Sequence, residues 1–180
     1  MSVSAAVEIA SAAARLVVDE GMEYAQAKRR AARALDRTPR GTELPSNEQV
    51  ENEVRSYLEL FCADTQPAEL RALRELALRW MQRLAEFRPH LSGAVWRGTA
   101  TRLSSVHIDL YCDDPKAAEI ALINLGIDYD ASGDDELHYL SVAERCPRLN
   151  DLVTLYLAVR DRDDQRGALK PDAHGRSWRG

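Results

Sequence analysis

Residues 92–114, SGAVWRGTATRLSSVHIDLYCDD, mark the place where the grammar of this chain changes. Up to Pro89 the apolar residues recur every three or four positions, the period of a helix with one buried face, whereas in VHIDLYC (106–112) they alternate. Alternation sends Ile108, Leu110 and Cys112 to one face of a strand and His107, Asp109 and Tyr111 to the other. A chain of helices turns here into one that builds a sheet. Directly after the strand, Asp114 as N-cap, Pro115 as first helical residue and Gly126 as stop frame a short helix.

Upstream, four helices are expected. Ala6, Ile9, Ala13, Leu16 and Val17 form one apolar stripe between Ser4 and Glu20, and Gly21 supplies a left-handed stop. Tyr24, Ala27, Ala31 and Leu35 form a second stripe, ended by the proline- and glycine-bearing run DRTPRGTELPSNEQ. Ser46 and Gln49 have the spacing of a capping box, ahead of Val50, Val54, Tyr57, Leu58 and Phe61. Pro67 opens a longer helix to about Phe87 whose stripe is Leu70, Leu73, Ala77, Trp80, Met81, Leu84 and Phe87.

Downstream, IDYDA, the turn SGDD and ELHYLSVAE read as a hairpin, and DLVTLYLAV (151–159) as a last strand. Helices first and mostly strands afterwards make an α+β protein, with about four helices before a small mixed or antiparallel sheet. The expected division is a helical region (1–88), an α/β core (89–160) and a polar, mobile tail (161–180).

Composition narrows the function classes. The chain has 180 residues, a net charge of −5, 45% hydrophobic and 29% charged residues, the profile of an ordinary globular chain. No apolar run approaches the roughly 18–20 residues needed to span a bilayer, so no membrane is expected and a cytoplasmic location is the default. Cys62, Cys112 and Cys146 are widely spaced and read as free thiols rather than as disulfide or zinc ligands. Negative net charge argues against nucleic-acid affinity over the whole surface. A local patch remains open: KRRAARALDRTPR (28–40) puts Arg29, Arg33 and Arg37 four apart on one helix face, either as a solvated side or as an RNA or partner surface.

Gly93-Ala94, then Arg97-Gly98-Thr99-Ala100, then His107-Ile108-Asp109 on a strand resemble the signature of the nucleotidyltransferase superfamily that includes DNA polymerase beta, especially its minimal members. That signature is a Gly-Ser or Gly-Gly pair, often continued by an Arg-Gly-Thr-Ala-like run, followed by Asp-x-Asp. The 12 residues Val95 to Val106 separate the two elements. More broadly, Ala27 to Arg33, Leu44 to Asn47 and Gly93 to Ala100 are similar to a proteobacterial group of nucleotidyltransferase-like proteins.

The resemblance implies a nucleotidyltransferase-like topology, phosphate held at Gly93, Ala94, Gly98 and Thr99, charge offset by Arg97, and magnesium on Asp109. Two metal ions bridged by strand carboxylates activate the attacking hydroxyl and neutralise the leaving pyrophosphate. Three departures weaken that chemistry. Ala94 lacks the hydroxyl of the pair, and His107 offers nitrogen where magnesium wants oxygen. The third acid belongs mid-strand near Thr154 or Tyr156, yet Asp151 and Asp161 lie at the strand's ends. Asp113 is left either to assist Asp109 or to start the next helix.

Two readings follow: a module with a degenerate site that binds a nucleotide, RNA or a protein with little or no turnover, or a divergent magnesium-dependent transferase using Asp109 and His107 to move a nucleoside monophosphate onto a hydroxyl. A plainer reading leaves the glycines as turns and Asp109 as a solvent-facing strand residue. His90, His107, His138 and His174 show no zinc-ligand spacing, and neither a G-x-S-x-G elbow nor a Walker lysine is present.

Overall fold

Seven α-helices and five strands are found among the described residues of the computed structural model, which are 4–36, 44–133, 138–168, 170–172, 175–177 and 179–180. They fall into two compact units, Met1–Pro67 and Ala68–Gly180.

The first unit contains α1 (Ala5–Glu20), α2 (Tyr24–Ala34) and α3 (Asn47–Phe61). Gly21 ends α1 in the left-handed conformation at φ 67°, its N–H donating to carbonyls of the last turn. The capping box at α3 is complete: Ser46 Oγ accepts from the Gln49 N–H at 3.1 Å, and Gln49 Oε1 accepts from the Ser46 N–H at 2.8 Å. Ile9, Ala13, Ala27, Ala31, Val50 and Val54 form the centre of this unit's core. So many alanines let the helices lie close together. Phe61, expected on the buried stripe, is 68% exposed and packs on half-buried Tyr57, whose hydroxyl donates to Asp19 at 3.0 Å. Leu35 is likewise exposed.

The second unit is built on α4 (Gln66–Arg83), a 3-10 turn (Ala85–Phe87), β1 (His90–Ser92), α5 (Gly93–Arg97), β2 (Val106–Cys112), α6 (Pro115–Asn124), β3 (Asp130–Gly133), β4 (His138–Cys146), β5 (Asp151–Asp161), a second 3-10 turn (Arg162–Asp164) and α7 (Gln165–Ala168). The unit boundary lies one helix earlier than the expected division at residue 88, because α4 shares its core with the sheet. Leu73, Leu76 and Trp80 of α4 join Ile108, Leu110, Leu122, Leu140, Leu155 and Leu157 in one buried cluster.

The sheet order is β1-β2-β5-β4-β3, with β2 and β5 parallel and the other neighbours antiparallel. Parallel pairing of β2 with β5 requires a crossover, and α6 with the β3–β4 hairpin fills it. Asp114 caps α6 as expected, accepting from the Lys116 N–H at 2.9 Å. β3 starts three residues later than the expected IDYDA and β4 runs two residues past the expected ELHYLSVAE, while Asp134 to Leu137, the end of the SGDD turn and the first two residues of the second strand, lie outside the described residues.

Part of the segment expected to be a mobile tail is seated on the sheet. Arg179 forms an isolated antiparallel bridge with Ser92, and Leu91 and Gly180 exchange backbone hydrogen bonds of 2.6 and 2.9 Å. Cys112 and Cys146 are buried and Cys62 half-buried, and none of the three is in a disulfide.

Candidate functional site

Strand register brings the residues singled out in 92–114 together on one face of the sheet. His90, Asp109 and Ala158 stand side by side on β1, β2 and β5; Ser92, His107 and Tyr156 lie one pleat step to one side, Tyr111 and Arg160 one step to the other. This face is polar and aromatic, whereas the opposite one carries Ile108, Leu110, Leu155 and Leu157 into the core. Asp109 is nonetheless 3% exposed and Tyr111 1%, so Asp109 is not the solvent-facing strand residue of the plainer reading. A buried carboxylate needs cationic partners.

It has two. Arg160 Nε donates to Asp109 Oδ1 at 2.8 Å, and Arg179 Nη1 lies 3.0 Å from Asp109 Oδ2. The same Arg179 nitrogen donates to the Tyr111 hydroxyl at 3.0 Å. Burial disfavours the Arg160 guanidinium, but the hydrogen bond and charge of Asp109 outweigh it and hold the Arg160 pKa above its ordinary value. Around this centre, His107 stacks on Tyr156 at 5.2 Å between ring centroids, and His90 meets Tyr111 edge to face at 5.4 Å.

Sequence reasoning matched Asp109 with His107 and missed both arginines. Arg160 lies immediately beyond the apolar run DLVTLYLAV, with the same parity as Tyr156 and Ala158. That parity was readable, but the register against β2 was not. Arg179 belongs to a segment whose composition gives no sign of a docking position.

The glycine elements fold separately. Gly93 starts α5 at φ 70°, a conformation that favours glycine, and a Cβ there would lie 3.3 Å from His107 Cδ2, close enough to press on that ring. The Arg-Gly-Thr-Ala run forms the C-terminal cap of α5. Gly98 is left-handed at φ 85°, and the N–H groups of Gly98 and Thr99, expected to face phosphate, both donate to the Ala94 carbonyl at 2.9 and 3.0 Å. Arg74 of α4 secures the same turn, donating to the Val95 and Trp96 carbonyls at 3.1 and 3.2 Å. Thr99 is buried with its hydroxyl unpartnered among the described residues, and Ala94 packs against the core.

Magnesium does not fit this arrangement. Both oxygens of Asp109 face guanidinium groups, β5 presents Tyr156, Ala158 and Arg160 across from it, and Asp113 is drawn to Arg162 at 2.9 Å. A divalent cation wants several oxygen ligands and would have to displace two arginines to gain one. Among the described residues no group of three or more His, Cys, Asp or Glu side chains is placed to hold a metal.

A second titratable cluster lies elsewhere in the unit. Glu119 of α6 accepts from the Tyr129 hydroxyl at 2.9 Å and lies 2.9 Å from His138 Nε2. The Tyr129 hydrogen bond, with that of His138 and against some desolvation, lowers the Glu119 pKa; the same bond raises that of Tyr129. His138 thus has a partner 19 positions away that no local spacing announces.

In the first unit Arg29 and Arg33 are exposed on one face of α2, while Arg37 lies outside the described residues, as does His174. Lys28 is turned to the Pro45 carbonyl and Asn47, and Arg30 to Glu20. No helix among the described residues is long and apolar enough to cross a membrane. Compared with known proteins, the chain matches no family model, and no curated protein is significantly similar to it.

Proposed function

We propose that this chain is a nucleotidyltransferase-like protein that binds rather than transfers, its ligand a nucleotide, RNA or a protein segment met in a cytoplasmic setting. One observation carries the reading: the carboxylate at the position of the superfamily's metal ligand, Asp109, is buried and paired through both oxygens with Arg160 and Arg179. A two-metal mechanism needs negative charge at this point, and the pairing cancels it. The resemblance rests on the glycine pair and the carboxylate strand, and in this chain Gly93 starts a short helix and Asp109 follows on β2. The glycine at the start of α5 is the element of the phosphate site that retains its form; the Arg97–Ala100 run acts as a cap. The exposed Arg29 and Arg33 offer a second, charge-driven contact for RNA.

The test is a thermal shift with each nucleoside triphosphate, with and without magnesium, beside a label-transfer assay to RNA and protein. The expected result is a shift that does not require magnesium and no transferred label. A ligand bound to the folded state alone at a hundredfold excess over its Kd adds about 2.7 kcal/mol of stability. Magnesium-dependent transfer that Asp109→Ala abolishes would overturn the proposal in favour of a divergent transferase.

A further inference from the structure

The edge of the sheet beside Asp109 is already occupied by a peptide, and that peptide belongs to the chain itself. Leu91 of β1 donates its N–H to the Gly180 carbonyl and accepts from the Gly180 N–H, at 2.6 and 2.9 Å, the two-way exchange by which an extended segment adds to a sheet edge. Arg179, bridged to Ser92, sends its side chain inward to Asp109 Oδ2 and the Tyr111 hydroxyl, both at 3.0 Å. Trp96 closes the other side. Its Nε1–H donates to the Ser177 carbonyl at 2.9 Å, and a Cβ at position 180 would run into the indole ring.

Three separate features therefore read this segment. The main chain of Leu91 recognises an extended backbone, buried Asp109 with Tyr111 recognises a guanidinium, and the Trp96 ring lies so close to the next position that any side chain there has to push the indole aside. The fit in cis is incomplete. Arg179 presents one nitrogen rather than the two-nitrogen fork that binds carboxylates best, and its buried Nε has no hydrogen-bond partner among the described residues.

We propose that the groove formed by Leu91, Trp96, Tyr111 and Asp109 is a recognition site for an extended Arg-Gly segment of a partner protein, held in the free protein by the chain's own Arg179–Gly180. The partner's segment adds to β1, places its arginine on Asp109, and displaces the resident one. A segment with lysine in place of arginine loses the planar donor geometry and binds more weakly. The proposal does not depend on the nucleotidyltransferase reading, since it requires no phosphate, nucleotide or metal.

The experiment uses the full chain carrying Arg179→Ala and Gly180→Val, which together remove the resident guanidinium and drive the segment off Trp96. Hydrogen exchange at the Leu91 amide reads whether the edge is covered, and titration with a synthetic GRSWRG peptide reads binding in trans. The expected outcome is fast Leu91 exchange in the variant, protection restored by the peptide, and binding at least tenfold tighter than to the unsubstituted chain. An alanine-for-arginine peptide should not restore protection, and Asp109→Asn added to the variant should abolish the effect. If the double variant does not fold, Arg179→Ala alone serves, because it leaves the Gly180 bridge and the core untouched. Absence of peptide binding by either variant overturns the proposal, as does equal binding of the alanine peptide. The magnesium and nucleotide measurements are unaffected by either outcome, so the two proposals fail separately.

Discussion

Arg160 reaches Asp109 diagonally across the parallel pair at the centre of the sheet: Asp109 stands opposite Ala158, and the guanidinium comes from one pleat step further along β5 to donate at 2.8 Å. The bond ties two strands whose contributing residues are 51 positions apart. With Asp109 almost fully buried, removing the carboxylate leaves two arginines facing an uncharged site.

Asp109→Asn should therefore lower the stability of the second unit by roughly 3 kcal/mol, the lower part of the range for breaking buried pairs, because both arginine side chains keep about a quarter of their exposure. Urea denaturation of Asp109→Asn, Arg160→Gln and the double variant checks this. Coupling of more than about 1 kcal/mol between the two sites is expected, and additive effects would show that the pair is not a unit.

The Glu119 cluster sets a dependence on acid. Its carboxyl has a lowered pKa in the folded protein, so the stability it contributes is complete above the unfolded value of about 4.3 and is lost as pH falls through the folded value. Melting temperature should drop over that acidic range. In Tyr129→Phe, which removes the leading cause of the shift, the drop should be shallower; identical profiles would remove Glu119 from the account.

Placing α4 in the core of the sheet has a direct energetic consequence. Leu76→Ala should destabilise the second unit by about 2–5 kcal/mol, the range for emptying a fully buried leucine site. Ser46→Ala, which removes half of the α3 capping box in the first unit, should cost about 1 kcal/mol. Hydrogen exchange resolved by residue distinguishes the two, since each loss should appear in its own unit.

Charge reversal of Arg29 and Arg33 tests the RNA arm of the proposed function. Against single-stranded RNA, the unsubstituted chain should show affinity that falls with salt, by a slope of about 0.7 per phosphate neutralised, and Arg29→Glu/Arg33→Glu should reduce that slope. Salt-independent binding, or an unchanged slope, would leave this face as a solvated helix side.

Local grammar was legible in the sequence wherever a single element carries its own signal. The Ser46–Gln49 box, the Gly21 stop and the Asp114-Pro115 helix start each act through backbone groups within a few positions, and each is found where expected. The alternation in VHIDLYC correctly separated His107, Asp109 and Tyr111 from the core side. What the sequence did not carry was register. The partners of Asp109 come from strands and segments joined by pairings with no local signature, so Arg160 and Arg179 were invisible beside a recognisable motif. For the same reason the Arg97–Ala100 run suggested a phosphate cradle: its composition suits one, and the choice between cradle and helix cap rests on where the Ala94 carbonyl points.

The parallel pairing of β2 with β5 also governs how the protein is made. β2 emerges from the ribosome with one edge unpaired, because its parallel partner does not exist until α6, β3 and β4 have been synthesised. At ordinary translation rates the 51 residues from Asp109 to Arg160 take roughly 3–10 s. The first unit, Met1–Pro67, has been synthesised in full before that interval begins. The nascent sheet cannot be completed in it, and the β2 edge stays open to other strands until β5 arrives.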